Sequence, residues 1–260
     1  SSGNQINCKD CFLNQQNCCT LFTPILITKA SKREDTIVEL ALFSENSLAF
    51  LVRWIHLLAG VTWIGLLYYF NFIQGEYFKE ADAGAKSDII QKMASRTLWW
   101  FRWGAMLTFL SGVYLIYLKH LNGMGIMIGA TLGIIMFLNV WLIIWPSQKI
   151  VIASAKQVAA GGEALPGAAA ALGKAGLASR TNTLFSIPML FFMASSIHLG
   201  QIQTSILQAS AASLSVIFGL IAVLALNGVV GKTGPITSVK GVIHSGFLLT
   251  AVLYLLLEMI

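Results

Sequence analysis

The stretch "RWIHLLAGVTWIGLLYYF", Arg53–Phe70, decides how the rest of the chain is read. It is apolar enough to lie in lipid, yet it opens Arg-Trp-Ile-His. Apolar residues continue on both sides, with no alternation of period two, so this is a helix and not a strand. In hydrocarbon a backbone must satisfy its own polar groups, and a helix does so within one segment. Five more apolar stretches share this character. With the first they cover about 48–73, 98–118, 124–146, 182–200, 205–228 and 239–260. The expected fold is therefore all-α: an integral membrane helical bundle of about six transmembrane helices, residues 48–260.

Composition agrees. The chain has 260 residues, of which 56% are hydrophobic and 11% charged, with a mean hydropathy of +0.73. Soluble domains carry about 25% charged residues, far more than this. The formal net charge of +6 does not point to nucleic acid, because Lys and Arg are scattered over the connections and form no patch. They read as topology determinants. Lys79, Lys86, Lys92, Arg96, Lys149, Lys156, Lys174, Arg180, Lys232 and Lys240 fall on one side of the six spans. Cytoplasmic loops are enriched in such residues, so both termini are expected outside a bacterial inner membrane.

Residues 1–47 form an N-terminal tail holding all four cysteines, Cys8, Cys11, Cys18 and Cys19. The "CKDC" pair is not followed by His, so it is not a haem c attachment motif, and the spacing matches no standard zinc pattern. Residues 21–46 mix charge with short apolar runs and are expected to lie at the interface. The connections 74–97 and 147–181 are long; the first is charged and helical in character, and the second is expected to be a short amphipathic helix with a flexible middle, "AGGEALPGAAAA".

A polar side chain within a span is costly and by default marks function. His56 is the clearest case. Arg53, His56 and Gly60 recur at helical spacing and fall on one stripe. Three readings stay open for this histidine: a hydrogen bond to a neighbouring helix, an axial bond to haem iron, or a proton path. In the haem reading Gly60 leaves room for a flat macrocycle, and Arg53 pairs with a propionate. His198 is then the second metal ligand, although its depth matches that of His56 imperfectly. Asn139 is an interhelical hydrogen-bonder or a substrate contact. Trp99, Trp100 and Trp103 with Arg102 read as an interfacial aromatic belt with a snorkelling arginine, and Pro188 as a kink. No Walker loop, GxGxxG, HExxH or GxSxG occurs. No span carries an acid except Glu258 at its end, which disfavours a proton-driven transporter.

The segments "LVRWIHLLAGVTWIGLLYYFNF", "WWFRWGAMLTFLSGVYLIYL", "IGATLGIIMFLNVWLIIWPSQK" and "SIPMLFFMASSIH" in this order resemble the membrane domain of the bacterial membrane-bound, cytochrome c-linked urate oxidase (urate hydroxylase) family. The resemblance covers roughly 48–200. It implies an oxidoreductase that binds haem b and passes electrons from urate or another small reductant to a cytochrome c. His56 carries over directly and His198 with a one-residue shift. The chain lacks CxxCH, so the cytochrome c is expected to be a separate protein. At the start of the fourth span, where the family pattern calls for a histidine followed by asparagines, the chain reads Thr181-Asn182-Thr183. Asn182, with Asn139, is the candidate substrate contact there. The alternative is a non-catalytic membrane subunit docked on a larger respiratory or photosynthetic complex.

Overall fold

The computed structural model describes residues 45–199 and 205–259. The cysteine cluster and the expected interfacial helix up to residue 44 lie outside the described residues.

Among the described residues the chain is helical, and its longest helices are longer than a bilayer requires. The first runs Glu45–Tyr68 (α1), widens into a π-helical turn at Tyr69–Gln74, and continues as Gly75–Glu80 (α2). A tight reversal at Ala81 and Asp82 follows. The Asp82 side chain caps Ala83–Asp88 (α3) by accepting from the Ala85 N–H at 2.8 Å, which satisfies one of the four orphan donors of a helix start. A second π turn, Ile89–Ala94, leads into Ser95–Lys119 (α4). Then come Met124–Leu138 (α5), a third π turn at Asn139–Ile144, and Trp145–Ala159 (α6). Three further helices, Ala168–His198 (α7), Ala211–Val230 (α8) and Val239–Met259 (α9), complete the described chain.

The helical character expected of 74–97 and 147–181 goes further than a connection between spans: most of each segment continues the flanking helices, and the irregular middle of the second falls at 160–167. The unbroken segments Ser47–Glu80, Ala83–Lys119 and Met124–Ala159 hold 34, 37 and 36 residues. At 1.5 Å per residue these reach about 50–55 Å, against a hydrocarbon core of about 30 Å. Hydropathy drops at charged ends such as "YFKEAD", but a helix needs no apolar surface there to stay a helix.

Five helical segments are long and apolar enough to cross a membrane: the three long ones, α8 and α9. The expected fourth span is the exception, and its place in the bundle explains why. It belongs to α7, which packs against α5, α6, α8, α9 and α1 at once. Its polar residues Thr181, Asn182, Thr183 and Ser186 are all but fully buried. A helix enclosed by other helices meets protein and not lipid, so it can hold hydroxyls and carboxamides if each finds a partner. The peripheral helices show the opposite pattern. Leu57, Val61, Leu110, Leu142, Val223 and Leu248 point outward and are more than half exposed.

α1 and α4 form the most extensive pair in the bundle. A Cβ at Gly104 would stand 3.3 Å from the Trp63 nitrogen and 3.4 Å from the Ala59 oxygen. The two backbones therefore meet where α4 has no side chain, the usual way membrane helices gain van der Waals contact. Trp63, Leu67, Phe101 and Ala105 fill the seam around this point. α4 ends with His120 in the left-handed region at φ 48°, ψ 42°, and the Leu121 N–H returns to the Ile116 carbonyl at 3.1 Å. That closes the last turn as a Schellman motif with a residue other than glycine in the strained place. At the same end Ile206 donates to the Asn122 carbonyl at 2.8 Å. Pro188 lies inside α7, which remains helical through it.

Candidate functional site

The residues singled out in the sequence occupy different parts of the bundle. His56 is half-buried, and its Nδ1 edge lies on α4, 3.1 Å from Ser111 Oγ. The Ser111 hydroxyl has one proton, and the Leu107 carbonyl stands 2.6 Å from it. With that proton directed to Leu107, Ser111 Oγ accepts from His56 Nδ1–H. A neutral imidazole protonated at Nδ1 holds its lone pair on Nε2, the form that ligates iron. A Cβ at Gly112 would fall 3.0 Å from His56 Cε1, so it is Gly112 on α4 that makes room for the ring. Gly60 has a different neighbour: its missing Cβ faces Thr108 Cγ2 of α4 at 4.0 Å. The stripe through His56 and Gly60 is thus the α1–α4 seam, and Gly60 offers no bed for a macrocycle. Arg53 is exposed, and so is His198, the last residue of α7. No hydrogen bond or ring contact joins His198 to His56. If a haem iron were held here, His56 Nε2 would be its donor, without a second ligand from His198. Among the described residues no group of three or more His, Cys, Asp or Glu is placed to hold a metal ion.

Asn139 and Asn182 do come together. Asn139 Nδ2 donates to Asn182 Oδ1 at 2.8 Å, and Asn182 Nδ2 donates to the Met136 carbonyl at 2.9 Å. Both side chains are buried. Two more bonds run from α1 and the π turn after it to α7: Tyr68 Oη with Ser186 Oγ at 3.0 Å, and Asn71 Nδ2 to Ser179 Oγ at 2.8 Å. α7 therefore carries a polar belt between residues 179 and 186, tied to its neighbours by paired polar side chains.

Next to this belt is a cavity of about 380 Å³ that the sequence did not reveal. All three π turns contribute to its wall, through Asn71 and Gln74, Ile90 and Ala94, and Ile144. A π turn accommodates one extra residue in a helix and is found preferentially at functional sites. The remaining wall comes from α2, α4, α6, the first turns of α7 and Thr233, with Gln148, Ser179, Arg180 and Thr233 as its polar members. Arg180 Nη1 and Gln74 Oε1 are buried without a hydrogen-bond partner. The Arg180 side chain is 14% exposed, and Glu76 Oε1 is 4.0 Å from its Nη2. Glu76 is already held by Lys79, at 2.7 Å. The Asn71 amide spends its donors on the Leu67 carbonyl and Ser179. The cavity is thus an apolar space with an undercompensated guanidinium, a free carbonyl acceptor and further carboxamides, the composition of a small-molecule site.

Arg180 reads from sequence only as a topology determinant, and Gln74 not at all, because both lie at the ends of apolar runs in the long connections. The available signal was helical continuity past the apolar runs. Arg102, by contrast, is a structural cation: its guanidinium carbon stands 3.7 Å from the centre of the Trp145 ring.

Residues 121–227 match the family model described as urate oxidase N-terminal. The matched segment contains Asn139, Asn182, His198, Gln148, Ser179 and Arg180; it does not contain His56. No curated protein and no solved structure matches the chain.

Proposed function

We propose that this urate oxidase-related chain is a membrane-embedded redox protein that oxidises urate or a closely similar small reductant. The observation that carries the reading is the match over residues 121–227, because that segment supplies Gln148, Ser179 and Arg180, three of the polar residues in the cavity wall. Hydroxylation of urate by water adds one oxygen and releases two protons and two electrons. The electrons leave one at a time to a cytochrome c, a separate protein in this reading, or to other subunits of a membrane complex. Haem b would be held through His56 Nε2 and would supply a single-electron redox centre. Within the chain, Ser111 holds the imidazole in the ligating tautomer, and α4 excludes water from that edge of the ring.

The test is urate-dependent reduction of cytochrome c or ferricyanide by membranes containing the chain, together with a pyridine haemochrome assay on the purified protein. The reading requires two acceptor equivalents per urate and a b-type spectrum that disappears in His56→Ala. A colourless chain that co-purifies stoichiometrically with other membrane proteins and yields no electrons from urate is a scaffold subunit, and the proposal fails.

A further inference from the structure

We infer that the cavity bounded by the three π turns is a binding site for a planar heterocyclic oxo-anion, the class to which urate belongs, with Arg180 and Gln74 as its two anchors. The identity of the ligand rests on the function proposed above; the site rests on the cavity itself.

Three observations converge on it. First, the cavity is large enough, at about 380 Å³, to hold a bicyclic ring, and lies in the range of small-molecule pockets. Second, its two anchors are complementary in kind. Arg180 Nη1 is a buried donor without an acceptor, and Gln74 Oε1 is a buried acceptor without a donor. Buried polar atoms are nearly always paired in native proteins, so a donor and an acceptor left over in one wall point to a ligand that brings the opposite of each. A carboxylate satisfies only Arg180, and inorganic phosphate, although it keeps an O–H donor, has no flat ring for the apolar walls. A ring with a negatively charged oxo edge and adjacent N–H groups satisfies both. Guanidinium is also the cation suited to a flat, delocalised anion, since it pairs in its own plane. Third, the wall is shaped for a flat guest. Gly173 and Gly176 on α7 line it with nothing within 4 Å of where their Cβ atoms would be, so one side is open backbone. Phe70, Phe78 and Phe101 supply apolar area.

The position of the cavity makes the site separable from the histidine. Its lining residues Gln74, Gly75, Gln148, Gly173 and Thr233 all belong to the bundle end where α2 finishes and α7 begins. Asn71 lies about 22 Å along the helix from His56 at 1.5 Å rise per residue. The ligand enters from the end opposite His56.

The experiment is equilibrium dialysis of radiolabelled urate against the full chain in nanodiscs, with xanthine and inorganic phosphate as competitors. Urate binding should fall at least tenfold in Arg180→Gln and in Gln74→Leu. It should also fall in Gly176→Leu, which fills the space without removing either anchor and replaces a poor helix former by a good one. His56→Ala should bind as the parent does. Xanthine should compete, and phosphate should not. The inference is overturned if the parent binds no urate, if Arg180→Gln and Gly176→Leu both keep their fold by size-exclusion and circular dichroism and still bind as the parent does, or if phosphate displaces urate at equal concentration. Urate oxidation by a chain whose affinity is indifferent to all three substitutions sinks the site and spares the function. Arg180-dependent binding with no electron release does the reverse.

Discussion

Asn182 shows what a single buried carboxamide does in this bundle. It accepts from Asn139 and donates to the Met136 carbonyl, with no exposure to water. Leaving a buried donor unpaired costs about 1–3 kcal/mol, whereas removing both partners together is close to neutral. Asn182→Leu should therefore lower the unfolding free energy by about 2 kcal/mol, and the Asn139→Leu/Asn182→Leu pair should recover much of that loss. A double-mutant cycle by thermal unfolding in detergent checks this. If Asn182 instead contacts substrate, the double variant will be stable and lose urate binding. His120 gives a second prediction at this scale. It is exposed and adopts φ 48°, where a side chain other than glycine is strained by about 1–2 kcal/mol. His120→Gly should raise the melting temperature and leave any haem spectrum unchanged, which differential scanning calorimetry with absorbance will show.

At the scale of elements, the α1–α4 seam depends on close backbone approach at Gly104. Alanine there places its Cβ 3.3–3.4 Å from backbone atoms of α1, close enough to require a shift of a few tenths of an ångström. Leucine cannot be admitted. Gly104→Ala should cost about 1 kcal/mol, and Gly104→Leu about 3 kcal/mol or more, the range for overpacked interiors. Because Ser111 and Gly112 lie two turns further along α4, Gly104→Leu should also move His56 off its partner. α7 makes the complementary point. Its hydroxyls bond to carbonyls of its own preceding turns, as Thr181 does to Leu177 and Thr183 to Ser179, each at 3.0 Å. Its one carboxamide, Asn182, and its Ser179 and Ser186 bond to neighbouring helices. A helix can carry a belt of polar side chains and still be enclosed by its neighbours.

For the molecule as a whole, the short turns and the shared cavity place the reversal at 81–82, the turn at 160–167 and the connection at 231–238 at one end. The contact between Gly123 and Ser205 marks the other. Single cysteines at Ala81, Gly161 and Thr233 should react with an impermeant maleimide from the same face of a sealed vesicle, and one at Asn122 from the opposite face. The background for this experiment has Cys8, Cys11, Cys18 and Cys19 replaced by serine. Labelling of Asn122 together with Ala81 would mean that the segment 83–119 does not cross the bilayer.

The sequence by itself determined the helical class and the positions of the apolar segments. Both follow from composition and from runs of apolar residues, which are local properties of the chain. It also marked His56 and the Asn139 and Asn182 pair as unusual, since polar atoms are conspicuous among apolar neighbours. Only the tertiary structure decided what each one faces. Gly60 lies against Thr108, not beside an open slot, because the packing angle of α1 on α4 turns that stripe into a seam. Arg180 and Gln74 lie more than a hundred residues apart and share a cavity because three helices each carry a π turn at the same level. The phase of a helix is legible in its spacing. Which neighbour fills a given face depends on contacts between distant segments, and no local pattern records them.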